Sequence, residues 1–587
     1  MNRTRTSTLD AFGLRDQRNR IYPALSASDG STLDLDFTTM GGALDSRFTF
    51  SRAGNATYIN SSGYVAFADA NMLLQSESLG SSPWSAQNGA TATNVSITNP
   101  TGGATSTQIT AGSGSSAVGQ SPTFGAAVAH TLSIWVRSGT STRLNIGIYS
   151  GAGFVTGTIS VISGSATVSG TDFFTVTNLT STWTRLQIVY TTLSAGTVLI
   201  YPDTASSTAG LTIYAWGAQL NQGSTAQTYY QTTTAAYYAP RFDYDPTTLA
   251  AKGLLIEGSA TNIALYSQSI NSSLSYLVGV NTTLTQNTTD VLDPAGGNTA
   301  TKIALTASTY CSRAQIVAVS GSTQYTFSYY IRGTPNNQCR IYSYAGYAGD
   351  LVTLTDHTYT TNSWTRVTTT FTTNAATTGI YIYVCSRNTA ASPAEVIYVW
   401  GAQLETGNGA SSYIPTVASQ VQRVSDECYI ADISSFNYSN TNASMAIEFM
   451  YAKQATSYIE QIGFMAATDL PTLESFANAL SFFTAVRGAS LSSSGQNEVS
   501  RTFTLNTAIK YSYSVDTTTD PILRVNLNSS ASSGNKVGTG NMYTATRFVF
   551  SRVPAASYGL YLGSFTIKSV KYWPTTKTAA ELAALTA

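Results

Sequence analysis

Charge is scarce in this chain. Of its 587 residues only 10% are charged, with 30 Lys and Arg against 30 Asp and Glu, whereas a globular domain usually has about 25%. Because there is no excess of positive charge, nothing electrostatic favours binding to nucleic acid or to an anionic membrane surface. No apolar run approaches the length of a membrane span, so we expect no membrane insertion. The first ten residues lack the apolar core of a secretion signal, so we expect the chain to remain in a cytoplasm or leave by lysis.

Histidine is almost absent. The two histidines, His130 and His357, are the only candidates for the base of a Ser-His-Asp or Cys-His site. No Cys or His spacing suits zinc, and no glycine loop ends in Lys-Ser or Lys-Thr to hold a phosphate. We therefore assign no catalytic residue, no required cofactor and no enzymatic activity.

The residues that are plentiful favour β-structure. The chain has 42% hydrophobic and 11% aromatic residues, including 36 Tyr, and β-branched and aromatic side chains suit a pleated sheet. Short alternating segments are separated by Gly, Asn and Ser turns, a pattern typical of antiparallel sandwiches. The sequence predicts an all-β chain of serial jelly-roll sandwiches with very little helix. Its clearest helical pattern lies near the C-terminus, at 575–585.

One long segment occurs twice. The string Ile-Tyr-Ala-Trp-Gly-Ala-Gln-Leu at 213–220 returns with one change at 397–404, and Trp-Thr-Arg at 183–185 returns at 364–366. We predict two homologous jelly rolls, 71–231 and 262–416, with the first inserted into a small split β unit. The full predicted division is an arm (1–33), the split unit (34–70 plus 232–261), the two repeats and a C-terminal sandwich (424–587). We predict that Cys311, Cys339, Cys385 and Cys428 are free core thiols, because the first repeat has no cysteine.

Most acidic residues do not recur between the repeats, so a duplicated catalytic site is excluded. The exception is the turn Asn-Pro-Thr-Gly-Gly beginning at Asn99, which returns as Asp-Pro-Ala-Gly-Gly at Asp293. Two interpretations stay open: part of a Ca²⁺ site, or an Asx-turn bonded to its own backbone. For Glu257, at the end of an apolar run, we expect a structural ion pair or a capping role.

Aromatic residues provide two further predictions. The recurring tryptophans are assigned to the cores of the repeats: Trp183, Trp216, Trp364 and Trp400. The loop at 340–350 places Tyr342, Tyr344, Tyr347 and Asp350 among glycines. Rigid rings beside small residues could stack on a sugar ring while Asp350 accepts hydrogen bonds. The same composition also suits contact with a neighbouring subunit, and both interpretations stay open.

Several strings resemble a known class of proteins. Arg-Phe-Thr-Phe-Ser-Arg-Ala-Gly-Asn-Ala-Thr-Tyr (47–58), Arg-Phe-Asp-Tyr-Asp-Pro (241–246) and the strand ending in Gly-Ala-Gln-Leu-Glu (401–405) are similar to sequences of tailed-bacteriophage virion proteins. These are fibre, spike and minor structural proteins with carbohydrate-binding-module-like jelly rolls. The C-terminal stretch 563–582 resembles the last strand and helix of concanavalin-like, laminin-G-type lectin sandwiches.

The resemblance implies a virion fibre or spike protein that is assembled in a bacterial cytoplasm and adheres to host-surface glycan. It also implies self-association, as a trimer in many fibres. The arm would contact other virion proteins through its arginines: Arg3, Arg5, Arg15, Arg18 and Arg20. Two alternatives remain, a head decoration or minor structural protein without a receptor role, and a capsule depolymerase.

Overall fold

The structure is a computed structural model of the whole chain. It describes the following residues: 29–122, 128–149, 156–160, 166–169, 173–190, 196–203, 208–270, 278–307, 310–333, 338–343, 352–356, 362–387, 394–453, 459–466, 471–478, 481–486, 496–499, 504–519, 521–528, 535–536, 540–550 and 563–587. The fold is all-β, as predicted, with many antiparallel sheets. The chain divides into two compact units: one contains 67–239, and the other contains 20–66 together with 240–587.

Four short strands precede the first repeat: β1 (Leu33–Asp36), β2 (Phe48–Ser51), β3 (Thr57–Ile59) and β4 (Val65–Phe67). β3 and β4 pair as a hairpin. The other two strands join sheets that are completed much later in the chain. β1 pairs antiparallel with a C-terminal strand, from Leu33 opposite Tyr572 to Asp36 opposite Ser569.

The first repeat is a sandwich of two six-stranded sheets. Its strands are β5 (Ala70–Asn71), β6 (Ser85–Gln87), β7 (Thr91–Val95), β8 (Ser106–Thr110), β9 (Ala117–Gln120), β10 (His130–Ser138), β11 (Leu144–Tyr149), β12 (Thr156–Ser160), β13 (Ala166–Ser169), β14 (Phe173–Thr177), β15 (Thr184–Tyr190), β16 (Thr197–Tyr201), β17 (Thr212–Gln222) and β18 (Tyr237–Tyr238). One sheet has the order β13-β15-β10-β17-β8-β7, and the other has the order β12-β14-β11-β16-β9-β6. Alternate residues such as Ile134, Ile146 and Ile200 face inward and form the core.

The second repeat has the same design with five-stranded sheets. Two strands precede it, β19 (Arg241–Tyr244) and β20 (Ala251–Glu257), and its own strands are β21 (Ala260–Asn262), β22 (Val278–Val280), β23 (Thr282–Thr285), β24 (Thr301–Leu305), β25 (Cys311–Ala318), β26 (Gln324–Gly333), β27 (Gln338–Ser343), β28 (Val352–Asp356), β29 (Thr365–Thr372), β30 (Gly379–Arg387), β31 (Glu395–Thr406) and β32 (Val421–Arg423). The orders are β23-β24-β31-β26-β29 and β22-β25-β30-β27-β28. The core between these sheets includes Phe327, Ile341 and Ile382.

The C-terminal sandwich contains the remaining elements: β33 (Glu427–Ile430), a 3-10 helix (Ser434–Phe436), β34 (Asn442–Lys453), β35 (Ile459–Ala466), β36 (Pro471–Asn478), β37 (Ser481–Val486), β38 (Gln496–Val499), β39 (Ala508–Asp516), β40 (Ile522–Leu527), β41 (Asn535–Lys536), β42 (Ala545–Val549), β43 (Ser564–Trp573) and α1 (Ala579–Leu585). The expected C-terminal helix is present and begins at a capping box formed by Thr578 and Glu581. Among the described residues, no helix has the length and hydropathy that crossing a bilayer requires.

The strands of the predicted small split unit do not form one common sheet; the β3–β4 hairpin is a separate two-stranded sheet. β1, β19 and β20 belong to the eight-stranded sheet of the C-terminal sandwich, and β2 belongs to its seven-stranded sheet. Phe242, Leu254 and Ile256 are buried in the core of that sandwich. A few short strands cannot bury enough apolar surface to be stable alone, so they extend a larger sheet instead.

Each repeat begins and ends in a two-stranded pair. β5 pairs with β18 at the ends of the first repeat, and β21 pairs with β32 at the ends of the second. The chain therefore enters and leaves each repeat at the same place.

A β-bulge at the same place in both repeats explains why the Trp-Gly sequence occurs in both. β10 pairs with β17, and β26 pairs with β31, with the same irregularity in register, between Ser133 and Trp135 in one copy and between Ser328 and Tyr330 in the other. The glycine at each bulge, Gly217 or Gly401, has a φ near +65°. A Cβ on Gly217 would lie 2.7 Å from the Trp135 ring, so the bulge requires glycine for both backbone and space.

A buried amide closes each repeat in the same way. The Nδ2 group of Asn71 donates to the carbonyls of Ala218 and Tyr230, and that of Asn262 donates to those of Ala402 and Ile414. Each amide thereby joins the first strand of its repeat to the Trp-Gly strand and to the segment that follows. The duplication seen in the sequence is thus a duplication of hydrogen-bond networks.

The described cysteines lie inside the protein, as core positions require. Cys311, Cys385 and Cys428 are buried. The side chain of Cys339 lies outside the described residues.

Candidate functional site

The outer face of one sheet in the second repeat carries aromatic side chains. On β30, Ile380, Ile382 and Val384 point into the core, so Tyr381 and Tyr383 alternate with them and are half-buried on the opposite face. The two tyrosine rings have centroids 6.1 Å apart and are tilted by 38°. We call this surface, defined by Tyr381, Tyr383 and Ile316, the tyrosine face.

The register of the neighbouring strands extends this surface. Ile316 on β25 is opposite Tyr381 and is 42% exposed. On the other side, the backbone of Tyr342 is opposite Tyr381, and that of Arg340 is opposite Tyr383. The sequence prediction of Tyr342 thus falls on a strand next to the two tyrosines. The side chain of Tyr342 and all of Tyr344, Tyr347 and Asp350 lie outside the described residues, so the predicted tyrosine loop stays a prediction.

The first repeat lacks this pair of rings. Two glutamines mark equivalent positions in the repeats. The side-chain oxygen of Gln120 accepts from the backbone N–H of Leu74 in the first repeat, and that of Gln315 accepts from the backbone N–H of Leu265 in the second. Gln120 lies beside Val198 and Gln315 beside Ile382. By that register, Thr197 and Leu199 occupy the positions of the two tyrosines. An aromatic outer face at these positions is therefore a property of the second repeat.

The Asx turn at Asp293 is satisfied by its own chain. Asp293 Oδ1 accepts from the backbone N–H groups of Ala295 and Gly297, and Oδ2 accepts from the N–H and hydroxyl of Thr299 at 2.8 and 2.6 Å. Asn99 accepts in the same way from Thr101 and Gly103. These contacts favour the Asx-turn interpretation, and a Ca²⁺ ion would have to displace them; calcium binding stays a prediction. Over the described parts of the chain, no cluster of three or more His, Cys, Asp or Glu is placed to hold a metal.

The four recurring tryptophans divide into two groups. Trp216 and Trp400 are only 1% exposed and pack against Tyr229 and Tyr413, with ring centroids 5.0 and 4.5 Å apart. Trp183 and Trp364 were also assigned to cores, but they are only partly buried. Each donates its indole N–H to a carbonyl of the Asx-turn segment, Trp183 to Thr98 and Trp364 to Leu292, both at 2.8 Å. Their polar N–H must reach a surface loop, which keeps them at the edge of the aromatic cluster.

Glu257 belongs to a fully buried ionic cluster. Arg241 pairs with Glu257 at 2.5 Å and with Asp426 at 2.6 Å, Arg52 pairs with Asp426 at 2.8 Å, and Arg423 pairs with Glu257 at 2.7 Å. Each of these side chains is at most 3% exposed. The expected structural ion pair of Glu257 is therefore present. We call these five residues the ionic cluster; Arg52 and Arg241 lie within strings quoted for the resemblance.

The ionisation of the buried groups argues against catalysis by them. Burial alone raises the pKa of Glu257, but attraction to Arg423 and Arg241 and hydrogen bonds from Ser412 outweigh it and hold that pKa well below its usual range. Glu257 is thus a fixed anion and cannot donate a proton near neutral pH. Burial also lowers the pKa of His130 to about 4. That histidine is neutral and lies on β10 with no exposed surface, while His357 lies outside the described residues.

The predicted anchoring arginines, Arg3, Arg5, Arg15, Arg18 and Arg20, also lie outside the described residues. Their role stays a prediction.

Comparison with known proteins gives one family match. Residues 283–392 match a protein family described as "Carbohydrate binding domain". The match runs from β23 through β30 and so includes the strands of the tyrosine face. The second repeat is therefore similar to carbohydrate-binding domains, a class that binds rather than cleaves. No curated protein sequence matches this chain.

Several solved structures are similar to parts of the chain at low sequence identity. The tandem CBM22-1–CBM22-2 domains of Xyn10C from Paenibacillus barcinonensis are 13% identical over 61% of this chain and 100% of theirs, with a TM-score of 0.20. The CBM40 domain of the Ruminococcus gnavus IT-sialidase, bound to α2,6-sialyllactose, is 8% identical over 25% of this chain and 85% of its own, with a TM-score of 0.22. The receptor-binding domain of a botulinum neurotoxin C/D mosaic is 7% identical over 28% of this chain, with a TM-score of 0.23, and the chain spans 40% of that domain. Scores this low do not establish a shared fold, and nothing in these comparisons points to a virion protein.

Sequence reasoning missed Tyr381 and Tyr383. The signal was present in the string Ile-Tyr-Ile-Tyr-Val at 380–384, a strict alternation with one aromatic side.

Proposed function

We propose that this chain binds glycan through the tyrosine face of its second repeat and does not cleave it. The observation that supports the proposal is the alternation on β30, which places Tyr381 and Tyr383 side by side on the outer face of a sheet inside the carbohydrate-binding-domain match. The apolar faces of sugar rings stack on such side chains, while surrounding polar groups bind the hydroxyls.

The charge distribution supports a binding role for the chain as well. Net charge is zero, so affinity must come from stacking and hydrogen bonds rather than from attraction over a distance. Glu257, the acid singled out by its sequence context, is held as an anion among arginines. It is therefore not available as the proton donor that glycoside hydrolysis requires.

Affinity electrophoresis in gels that contain host polysaccharides, followed by titration with oligosaccharides, tests this proposal. Tyr381→Ala and Tyr383→Ala should each weaken binding about tenfold, equivalent to about 1.4 kcal/mol. Tyr149→Ala provides the matched control, because Tyr149 is 41% exposed and stands opposite Thr197 on the corresponding sheet of the first repeat. Unchanged binding by both tyrosine variants would refute the proposal. New reducing ends released from the polysaccharide would instead indicate a depolymerase.

We further propose that the glycan-binding repeat belongs to a virion fibre or spike that is assembled in a bacterial cytoplasm. The resemblance of the strings at 47–58 and 241–246 supports this, and it also supports a trimer and attachment through the arginine-bearing arm. Electron microscopy of virions labelled with antibody against 424–587 distinguishes a tail position from a head position. Light scattering of the purified protein measures its oligomeric state; a monomer would refute the trimer.

A further inference from the structure

The second repeat borders a large cleft on the side opposite the tyrosine face. The cleft has a volume of about 1220 Å³, which exceeds the range of about 300–1,000 Å³ usual for small-ligand sites. One wall is the outer face of β26 and β29, where Thr368 and Thr370 are exposed. The β3–β4 hairpin forms a second wall, and Met450 and Leu505 of the C-terminal sandwich line a third side. All of these segments lie in one compact unit.

The Asx turn fastens the walls of this cleft to each other. Val65 N, in the hairpin, donates to the carbonyl of Pro294 at 2.8 Å. A Cβ placed on Gly296 would lie 3.6 Å from the ring of Tyr64. On the other side of the turn, Trp364 donates to Leu292. The turn therefore connects the hairpin to the sheet of the repeat, and Tyr64 and Trp364 become parts of one fixed wall.

The charges that line the cleft do not favour an anionic ligand. Five carboxylates line it against three cations: Asp243, Asp245, Glu257, Asp290 and Asp293 against Lys252, Arg332 and Arg366. Most of the acids already have partners within the protein. Asp290 pairs with Lys302 at 2.7 Å, and Asp245 accepts from the backbone N–H groups of Thr247 and Thr248. Without an excess of positive charge, a phosphate, sulfate or carboxylate ligand gains nothing on entry.

The remaining lining suits a neutral polyol. Tyr64 is 41% exposed and Leu292 is 52% exposed, so apolar surface is available for stacking at the mouth of the cleft. The exposed hydroxyls of Thr368 and Thr370 and the amide of Asn506 line the interior. A molecule with apolar ring faces and many hydroxyls uses both kinds of surface, and an oligosaccharide has that chemistry.

We propose that this cleft is a second carbohydrate site, for neutral oligosaccharides, formed jointly by the β3–β4 hairpin, the second repeat and the C-terminal sandwich. It is separate from the tyrosine face, since the two sites lie on the outer sides of the two sheets of the repeat. A polysaccharide chain thus has two independent places to bind on a single unit.

Hydrogen–deuterium exchange of the full chain, with cellotetraose, xylotetraose and maltotetraose at millimolar concentration, tests the proposal. A neutral tetrasaccharide should protect segments 290–294 and 363–370, and trigalacturonate should not. Tyr64→Ala and Thr368→Trp should abolish that protection, because one removes the stacking surface and the other fills the cleft. Thr372→Trp, an exposed position on the same strand outside the cleft, should leave protection unchanged.

The outcomes separate this site from the tyrosine face. Protection confined to 379–385 would overturn the cleft site while supporting the proposed function. Protection confined to the cleft segments would support the cleft site and overturn binding at the tyrosine face. Absence of protection in both places with all three sugars would overturn both. Trigalacturonate protecting the cleft as well as the neutral sugars do would also overturn the neutral-ligand inference.

Discussion

Replacing Glu257 by Gln tests how the ionic cluster stabilises the chain. Glu257 accepts hydrogen bonds from Arg241, Arg423, the backbone N–H and hydroxyl of Ser412, and the hydroxyl of Ser564. These partners come from segments more than 300 residues apart in the sequence. Glutamine keeps the size of the side chain and some acceptor capacity, but it removes the charge.

The expected magnitude follows from the composition of the cluster. Three arginines face two carboxylates, so the cluster carries a net charge of +1, and the variant raises this to +2 without access to water. Removing one partner of a buried ion pair costs about 3–5 kcal/mol, so we expect a loss in that range in the unfolding free energy. Glu448→Gln is the control, because Glu448 pairs with Lys568 at 2.8 Å but the two side chains are 21% and 49% exposed. Such a pair contributes about 1 kcal/mol at most.

Scanning calorimetry measures the thermal unfolding of both variants. The method is suitable because it resolves separate transitions, and a chain with several domains does not unfold in a single two-state transition. The pH dependence supplies a second test. Since the folded pKa of Glu257 lies below its unfolded value of about 4.5, its stabilisation is complete above that pH and is lost as pH falls. The difference between wild type and Glu257→Gln should therefore shrink in acid. A shift no larger than that of Glu448→Gln, or a difference independent of pH, would refute the reasoning.

Three other perturbations have defined outcomes. In thermal unfolding, Gly217→Ala should destabilise the first repeat by about 2–3 kcal/mol, because an added Cβ meets the Trp135 ring at 2.7 Å. The control Gly223→Ala, also at positive φ but in open space, should cost only about 1 kcal/mol, and equal effects would contradict the steric explanation. Burial raises the pKa of Asp243 to about 6 from 3.8, so the stability of the fold should fall as pH rises from about 4 to 6. Asp243→Asn should remove that pH dependence and raise the melting temperature at pH 7. An unchanged pH dependence in the variant would show that another group titrates. Asn262→Ala removes an amide that forms hydrogen bonds with four backbone groups. At about 1 kcal/mol per bond, the unfolding free energy of the second unit should fall by about 4 kcal/mol, as measured by urea unfolding. A loss below about 1 kcal/mol would mean that water replaces the amide.

The sequence predicted the β-class and the two repeats well because both depend on local patterns. Alternation fixes which residues face a core, and the duplicated Trp-Gly strand marks one position in both copies. It could not show that β1, β19 and β20 extend the C-terminal sandwich. Strand pairing across more than 300 residues leaves no local trace in a single sequence, so local patterns alone predict a separate unit for these strands.

The candidate site was predicted less completely, again for physical reasons. The abundance of glycine and tyrosine in the loop predicts Tyr342 as a site residue, and the structure places its backbone beside Tyr381. The pairing of β27 with β30 is what brings these positions together, and a single sequence does not reveal register between strands. The role of the Asp293 turn in holding the β3–β4 hairpin was equally out of reach, because the hairpin comes more than 200 residues earlier.

The paired strands at the base of each repeat have an evolutionary consequence. Because β5 pairs with β18 and β21 pairs with β32, the two ends of each repeat are neighbours. With respect to the rest of the chain, each repeat is therefore a long insertion at a single point. Lengthening such an insertion adds little to the entropy cost of closing it. Genetic exchange at these two junctions could therefore replace one repeat with another in a single event, and the surrounding framework would not have to change.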